Sequence, residues 1–179
     1  LNSPTLIFMY QFDSQIFQKR RDNFISKLNG KAAILPGASL VKHHADCEYP
    51  FRQDSDFWYL TGFDEPDSIA LFLSHKPEGE RFILFVNPKE IISEVWQGFR
   101  WGIEGAEEVF KADKAHSIVD FKKELPSYLE GSNEIVFSIG KYAKIEPIVL
   151  DLWANQLQNL SRIGSAPIAI KSPGIYLNH

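Results

Sequence analysis

Cysteine is almost absent from the 179-residue sequence, which holds a single one, Cys47. That count excludes an internal disulfide framework and fits a reducing compartment, so we expect a cytoplasmic protein. Long apolar runs are missing too, since nothing approaches the roughly 20 residues that a membrane-spanning helix needs. The short apolar run at 6–10 has no basic stretch before it, which argues against a signal peptide. No membrane partner is therefore predicted.

Positive charge is neither abundant nor clustered. The net charge is −4 at pH 7, with 19 Lys and Arg scattered along the chain against 23 Asp and Glu. Proteins that bind nucleic acids carry a basic patch that neutralises phosphates, so we predict no nucleic-acid partner. The sequence also lacks a phosphate-binding loop, a G-x-G-x-x-G fingerprint and a G-x-S-x-G nucleophile elbow. The chemistries that depend on these motifs are therefore not expected.

Aromatic residues, at 13% of the chain, are the unusual part of the composition. They concentrate in the stretch EYPFRQDSDFWYLTGFDEP at 48–66, beside an arginine and several carboxylates. Asp54 or Ser55 can cap a short helix there, and Gly62 can end it. In a structural interpretation, aromatic side chains bury this helix against a sheet, namely Phe57, Trp58, Tyr59 and Phe63. A catalytic constellation and a docking surface are the alternatives.

Two amphipathic patterns predict long helices. Over 14–28 the apolar residues fall on one face, Ser14 can cap the start, and Asn29 with Gly30 can end the helix. Over 145–160, a proline suits the first turn. The predicted buried face of this second helix consists of Val149, Leu152, Trp153, Leu157 and Leu160.

Short apolar runs predict the strands. KAAILPG at 31–37 and NEIVFSIG at 133–140 each form one strand, while SIALFLS at 68–74 and RFILFV at 81–86 flank a turn and form a β-hairpin at the centre of the sheet. Strands that alternate with helices indicate an α/β fold, and the hairpin excludes a purely parallel sheet. We predict a mixed β-sheet flanked by helices in a single domain.

The run HHADCE at 43–48 contains every common type of metal ligand. In an extended segment alternate side chains share a face, so His44, Asp46 and Glu48 would converge on one ion. No second pair of ligands with zinc-like spacing follows, and the carboxylates beside Cys47 raise the pKa of its thiol. We interpret this run as a polar loop, with a metal site as the alternative.

Trp96 and Trp101 lie in a glycine-rich segment, PKEIISEVWQGFRWGIEGAEEVF, that predicts at most short helical pieces. Such a segment buries indole rings poorly, and aromatic side chains on loops often form contact surfaces. We therefore predict that both tryptophans take part in recognition.

The stretch ADCEYPFRQDSDFWYLTGFDEPDSIALF, preceded by FQKRR and followed by SEVWQG, resembles the N-terminal domain of aminopeptidase P. This enzyme is the Xaa-Pro aminopeptidase of the creatinase and prolidase group. The resemblance implies a ribonuclease H-like α/β fold, typical of creatinase N-terminal domains, for residues 13–174. Residues 1–12 would then be a leader or a start-site extension, and 175–179 a truncated connection to an absent catalytic domain.

The resemblance also implies where the chemistry is done. Catalytic domains of this family hold two divalent metal ions, commonly manganese, and remove the residue that precedes proline at the N-terminus of a peptide. It implies no catalytic residue and no metal ligand within 1–179. By motif, Trp96 matches a tryptophan that lines the substrate pocket, and Asp46 matches an aspartate that approaches the active site from a neighbouring subunit. Arg162 matches a pocket arginine.

The partners that the resemblance implies are the protein's own C-terminal catalytic domain, an X-Pro peptide and further copies of the chain in a homo-oligomer. An alternative of another class is a stand-alone module of the same fold that binds a peptide or a protein and has no peptidase activity. A small metalloenzyme built on 43–48 is a third possibility.

Overall fold

The computed structural model describes residues 13–40, 42–44, 47–48, 50–89, 99–159, 162 and 164–177. The helices are α1 (Ser14–Leu28), α2 (Ser55–Thr61), α3 (Gly102–Glu108), α4 (Phe121–Leu129) and α5 (Glu146–Gln158), with 3-10 turns at Ile118–Asp120 and Pro173–Ile175. The strands are β1 (Ala32–Pro36), β2 (Lys42–His44), β3 (Cys47–Glu48), β4 (Ile69–Leu73), β5 (Phe82–Val86), β6 (Lys114–Ser117), β7 (Ile135–Val136) and β8 (Ile170–Lys171). In this part of the chain no helix is long and apolar enough to cross a membrane.

Six strands form one mixed sheet in the order β6-β5-β4-β1-β7-β8. The central pairs β1–β4 and β4–β5 are antiparallel, while β5–β6, β1–β7 and β7–β8 are parallel. The predicted hairpin is therefore confirmed, and with it the mixed α/β fold. Strands β2 and β3 form a separate antiparallel pair.

The core consists of two apolar clusters, one on each face of the sheet. Successive side chains of a strand point to opposite faces. In β4, Phe72 belongs to the cluster that contains residues of α1, α2 and α3, whereas Leu71 belongs to the cluster under α4 and α5. All five residues of β1, β4 and β5 are buried, which explains why these runs are continuously apolar rather than alternating.

Helix α1 spans the predicted residues, but its start differs from the prediction. Asp13 caps the helix by accepting a hydrogen bond from the Gln15 amide at 3.1 Å, so the prediction of Ser14 as the cap is wrong. Asn29, with φ 46°, ends the helix as expected. The apolar face is buried as predicted, and the charged Arg21 is buried with it.

Helix α5 is less buried than its pattern predicts. Only Val149 of the predicted face is fully buried, Leu152 and Trp153 are partly buried, and Leu157 is 37% exposed. Leu160 lies outside the described residues. Ile135 of β7 and Ile170 of β8 pack in or against the same apolar cluster as Val149, but these strands have two residues each and offer little surface to cover the rest of the face.

Candidate functional site

Residues 50–66 of the aromatic stretch form α2 and the two loops that flank it. Phe57 and Phe63 are completely buried, as the structural interpretation predicts. Trp58 is 47% exposed and packs edge-on against Phe17 with a centroid distance of 5.6 Å, so its predicted burial is wrong. One face of a two-turn helix reaches the sheet, and Trp58 lies on the other face.

Gln53 ties the start of α2 to the surrounding loops. Its side-chain oxygen accepts hydrogen bonds from the amides of Ala38 at 2.7 Å and Asp54 at 2.8 Å. Its amide nitrogen donates to the carbonyls of Phe63 at 3.2 Å and Glu65 at 2.9 Å. One side chain thus fixes three segments that lie apart in sequence.

Asp54 caps α2 and joins it to the loop before α5. Its Oδ1 accepts from the amides of Asp56 at 3.1 Å and Phe57 at 3.2 Å. Its Oδ2 lies 2.6 Å from Lys141 Nζ and accepts from the Tyr142 hydroxyl at 3.2 Å. The helix cap that the sequence predicts is confirmed at Asp54. The sequence does not predict the contacts of Asp54 with Lys141 and Tyr142.

The charges in this group shift one another's pKa. Burial alone would raise the pKa of Asp54, but the hydrogen bonds and positive charge from Lys141 outweigh burial and leave the pKa below its usual value. Burial likewise opposes the charged form of Lys141, yet its bond to Asp54 raises its pKa. Burial raises the pKa of Tyr142 to about 12. Near neutral pH this is a lysine–carboxylate pair with a neutral tyrosine, which is structural and offers no general base.

Two arginines of α1 satisfy the last carbonyls of α2. Arg20 donates to the carbonyl of Tyr59 and Arg21 to that of Leu60, each at 3.2 Å. The Arg20 guanidinium stacks 4.3 Å from the Tyr59 ring, and that of Arg21 lies 4.3 Å from the Phe82 ring. Burial lowers the pKa of Arg21 to about 10, so the side chain stays charged near neutral pH. Cations at the end of a helix also suit its dipole.

Glu65 lies at the turn before β4 and is only 7% exposed. Its Oε1 accepts a hydrogen bond from the Trp101 amide at 2.5 Å. The Trp101 ring packs on the core through an edge contact of 5.3 Å with Phe110. The backbone and the ring of Trp101 are thus both held by the domain, while the ring is only partly buried, so its predicted part in recognition stays a prediction.

The three predicted site residues fare differently. Trp96 and Asp46 lie outside the described residues, so their predicted roles stay predictions. Arg162 is exposed, and its amide donates a hydrogen bond to the carbonyl of Asn159 at 2.9 Å. Its predicted role at a pocket also stays a prediction. Among the residues that are described, no group of three His, Cys, Asp or Glu is placed to hold a metal ion, and the side chains of 43–48 are not among them.

Sequence reasoning missed the residues that organise this region. Gln53, Glu65 and Arg21 were part of the quoted motifs but had no predicted partners. Polar residues embedded between strongly apolar positions, as in FQKRR and GFDEP, are the available signal, because buried polar groups need partners.

A family model described as "Aminopeptidase P, N-terminal domain" matches residues 17–137. The chain is 33% identical to the Xaa-Pro aminopeptidase of Escherichia coli (strain K12) over 142 residues, which are 79% of this chain and 32% of that protein. A mitochondrial relative, intermediate cleaving peptidase 55 of Arabidopsis thaliana, is 28% identical over 86% of this chain and 31% of its own length.

Solved structures agree with the fold. Zinc-substituted E. coli aminopeptidase P in complex with product matches with a TM-score of 0.82 and 31% identity, over 91% of this chain and 37% of that one. The structure of Pseudomonas aeruginosa aminopeptidase PepP matches with a TM-score of 0.85 and 28% identity, over 94% of this chain and 38% of that one. The chain spans about a third of the length of the relatives it matches.

Proposed function

Because the chain belongs to the family of aminopeptidase P N-terminal domains, we propose that it is the non-catalytic part of a metal-dependent Xaa-Pro aminopeptidase. The whole enzyme would remove the N-terminal residue that precedes proline. The observation that carries the proposal is the match of residues 17–137 to the family model, together with relatives of which the matched part of the chain covers about a third. The polar side chains of Gln53, Asp54 and Glu65 are bonded to other parts of the same domain. These bonds favour a structural role for the aromatic stretch over a catalytic one.

We propose that the domain walls the substrate pocket and contributes to oligomer contacts. Trp96 would offer its ring to the apolar ring of proline, and Asp46 would approach the pocket of a neighbouring subunit and attract the free amine of the peptide. Arg162, which is exposed, would be available to a peptide carboxylate. Asp46 and Arg162 thus match the two charged ends of a short peptide.

The metal ions belong to the remaining part of the enzyme in this proposal. Two divalent ions, which we propose to be manganese, would polarise the scissile carbonyl and activate water there. The part of the chain that the structure describes supplies positioning and shape. For location we propose the cytoplasm, with a mitochondrion as the other candidate because one relative bears that designation.

The second candidate function, a stand-alone module that binds a peptide or protein, draws on the exposed aromatic surface at α2. Trp58 is 47% exposed beside a groove lined by Phe51, Arg52 and Tyr59. A groove with aromatic walls suits recognition of extended peptides. The two candidates share the fold and differ in whether a catalytic part follows.

We expect the 179-residue chain alone to leave an X-Pro dipeptide uncleaved in the presence of manganese. The longer polypeptide of the same reading frame should cleave it. Proline release is the measurement, with an Ala-Ala dipeptide as the control for specificity and a chelator as the control for metal dependence. A stop codon directly after codon 179, or cleavage that co-purifies with the chain itself through several columns, would contradict the proposal.

Replacing Trp96 with alanine in that longer polypeptide should raise KM for a short X-Pro substrate by about tenfold, because an aromatic wall of the proposed pocket is lost. Val119→Ala is the control, since it truncates an apolar side chain of the same domain that is 80% exposed. Steady-state kinetics of both variants decide the matter. Equal KM values for the Trp96 variant and the unmodified enzyme would remove Trp96 from the pocket.

A further inference from the structure

A cleft of about 950 Å³, which we call the α1 cleft, separates α1 from the turn between β4 and β5. Cavities that bind small molecules have volumes of about 300–1,000 Å³. One wall is a face of α1 with residues spaced three or four apart, including Gln18, Arg21 and Ile25. The opposite side is lined by the hairpin turn and by the loop before β6, with Lys111 and Asp113. Most of the lining side chains are polar or charged, which suits a small hydrophilic molecule.

Arg21 is the most buried charged residue of the α1 cleft, with 4% of its surface exposed. Its guanidinium lies 4.3 Å from the centre of the Phe82 ring. Nη1 donates to the carbonyl of Leu60 at 3.2 Å, which is the one hydrogen bond that this guanidinium makes within the described part of the chain. A guanidinium has five N–H groups, and buried polar groups need partners. Because Arg21 lines the cleft, a molecule bound there can accept the remaining hydrogen bonds.

The protein balances the charge of Arg21 only in part. Burial lowers the pKa of Arg21 to about 10, and the negative charges of Asp22 and Asp113 oppose this effect without cancelling it. Asp113 is also engaged elsewhere, because its Oδ2 accepts from the amides of Arg81 and Phe82 at 2.8 Å each. A bound anion would replace the solvation that burial removes, and a carboxylate forms strong charge-assisted hydrogen bonds with a guanidinium.

The charges that line the α1 cleft favour a ligand with charges of both signs. The lining has as many positive as negative side chains, namely Arg21, Arg81, Lys111, Asp22, Glu78 and Asp113. The carboxylates would repel a phosphate dianion, and a nucleic acid would meet the same repulsion. A zwitterion is attracted at both of its ends, because Asp22 and Glu78 are exposed and can accept hydrogen bonds from an ammonium group.

We propose that the α1 cleft binds a small zwitterion with an α-carboxylate, a free amino acid or a short peptide, and that Arg21 binds this carboxylate. The guanidinium donates the N–H groups that Leu60 does not occupy, while Asp22 and Glu78 attract the ammonium group. The ligand contacts both α1 and the hairpin turn, so its binding stabilises the folded domain. The proposal concerns residues of this chain alone and is independent of the proposed function.

Nuclear magnetic resonance on the 179-residue chain tests the proposal. The probes are glycine and glycylglycine, and the readout is the side-chain Nε–H signal of Arg21 together with the amide signals of α1. Both probes should shift these signals with a Kd in about the millimolar range. An Arg21 signal that does not move up to about 50 mM of either probe would overturn the proposal. Tighter binding of glycylglycine assigns the cleft to peptides and tighter binding of glycine to amino acids, and either result supports the proposal.

Two further probes test the chemistry of the ligand. Glycinamide lacks the carboxylate and should bind at least about tenfold more weakly than glycine. Equal binding of glycinamide and glycine would overturn the role of Arg21. Inorganic phosphate is the competing anion and should bind more weakly than glycine, because of the carboxylates in the lining. Tighter binding of phosphate would overturn the proposed class of ligand.

Variants of the lining test the place of binding. Arg21→Gln should weaken glycine binding at least about tenfold. Because this variant also loses a charged bond to Leu60, Gln18→Trp provides a second measurement that leaves Arg21 in place and fills the cleft beside it. Asn23→Trp is the matched control, since Asn23 is an exposed residue of the same helix outside the lining. Gln18→Trp should weaken binding by at least about tenfold and Asn23→Trp by less than about twofold. Equal Kd values for Gln18→Trp and the unmodified chain would overturn the proposal.

The ammonium end of the ligand is tested at Glu78. Glu78→Gln should weaken glycine binding by about threefold, because an exposed ion pair contributes little. The same variant should leave acetate binding unchanged, since acetate has no ammonium group. Equal losses for glycine and acetate would overturn the zwitterion as the ligand. None of these measurements needs peptidase activity, so a longer polypeptide that fails to cleave X-Pro peptides would contradict the proposed function and leave this proposal standing.

Discussion

Phe72→Ala is expected to lower the free energy of unfolding by about 3–5 kcal/mol, because it removes a large buried side chain and leaves a cavity. Phe72 is completely buried in β4. Its ring stacks on Phe82 at 5.4 Å and meets Phe24 edge-on at 5.3 Å. The substitution therefore breaks the contact between α1, β4 and β5 at one point.

Urea unfolding followed by circular dichroism measures this change at neutral pH. Domains have about 5–15 kcal/mol of stability in total, so the variant should be marginally folded. Phe72→Leu removes less volume and should give an intermediate stability that can be measured even if the alanine variant is unfolded. Ile168→Ala is the control, because Ile168 is 73% exposed and its truncation should cost less than about 0.5 kcal/mol. A loss below about 1 kcal/mol at Phe72 would contradict the packing described here.

Asp54→Ala is expected to cost about 2–3 kcal/mol at neutral pH. The N-cap of α2 accounts for about 1 kcal/mol. Loss of the bonded charge, which leaves the Tyr142 hydroxyl without its acceptor, accounts for the remainder. The Lys141 side chain is 48% exposed, so we assign little of the cost to the ion pair itself.

The contribution of Asp54 depends on pH in one direction. Its pKa is lower in the folded protein than the ordinary value of 3.8, so the folded state binds its proton less tightly than the unfolded state does. The stabilisation is fully present above pH 3.8 and is lost as the pH falls through the pKa of the folded state. The stability difference between the unmodified chain and Asp54→Ala should therefore be constant from about pH 5 to about pH 8 and shrink towards about pH 2. This is the dependence that the titration of one carboxyl group produces.

Chemical denaturation of both proteins at pH 7 and pH 3 checks this dependence. Asp54→Asn is informative because it retains an acceptor for the cap and loses the charge, so it should be more stable than Asp54→Ala at pH 7 and independent of this titration. Asp64→Asn, which alters an exposed carboxyl group in the same stretch, serves as the matched control. A stability difference that grows as the pH falls would be inconsistent with the assigned pKa shift.

Much of the fold follows from short-range patterns. The end of α1 at Asn29, the cap of α2 at Asp54 and its end at Gly62 are local backbone requirements that the residue types reveal. Strand β6 escaped prediction because Lys114–Ser117 has no apolar run, and only one of its four residues, Ala115, is buried. It is a strand because β5 supplies a parallel partner, which is information that the local sequence does not contain.

The candidate site was less predictable for the same reason. The motif resemblance predicts roles for Trp96, Asp46 and Arg162, because each of these residues can be matched to a family motif without knowledge of its spatial neighbours. The partners of Gln53 and Glu65 lie up to 36 residues away. No periodicity encodes such contacts, and they emerge only when α2, the turn before β4 and the loop after β5 are brought together.

The position of β1 has a consequence for biosynthesis. Ala32 of this strand pairs with Leu73 on one side and with Ile135 on the other, so one neighbour is made early and the other late. While a ribosome is still translating the stretch between them, the hairpin side of β1 can be complete and the opposite side still presents open amide and carbonyl groups. Such an edge recruits other strands, and premature termination in that interval should yield aggregates rather than a smaller folded protein.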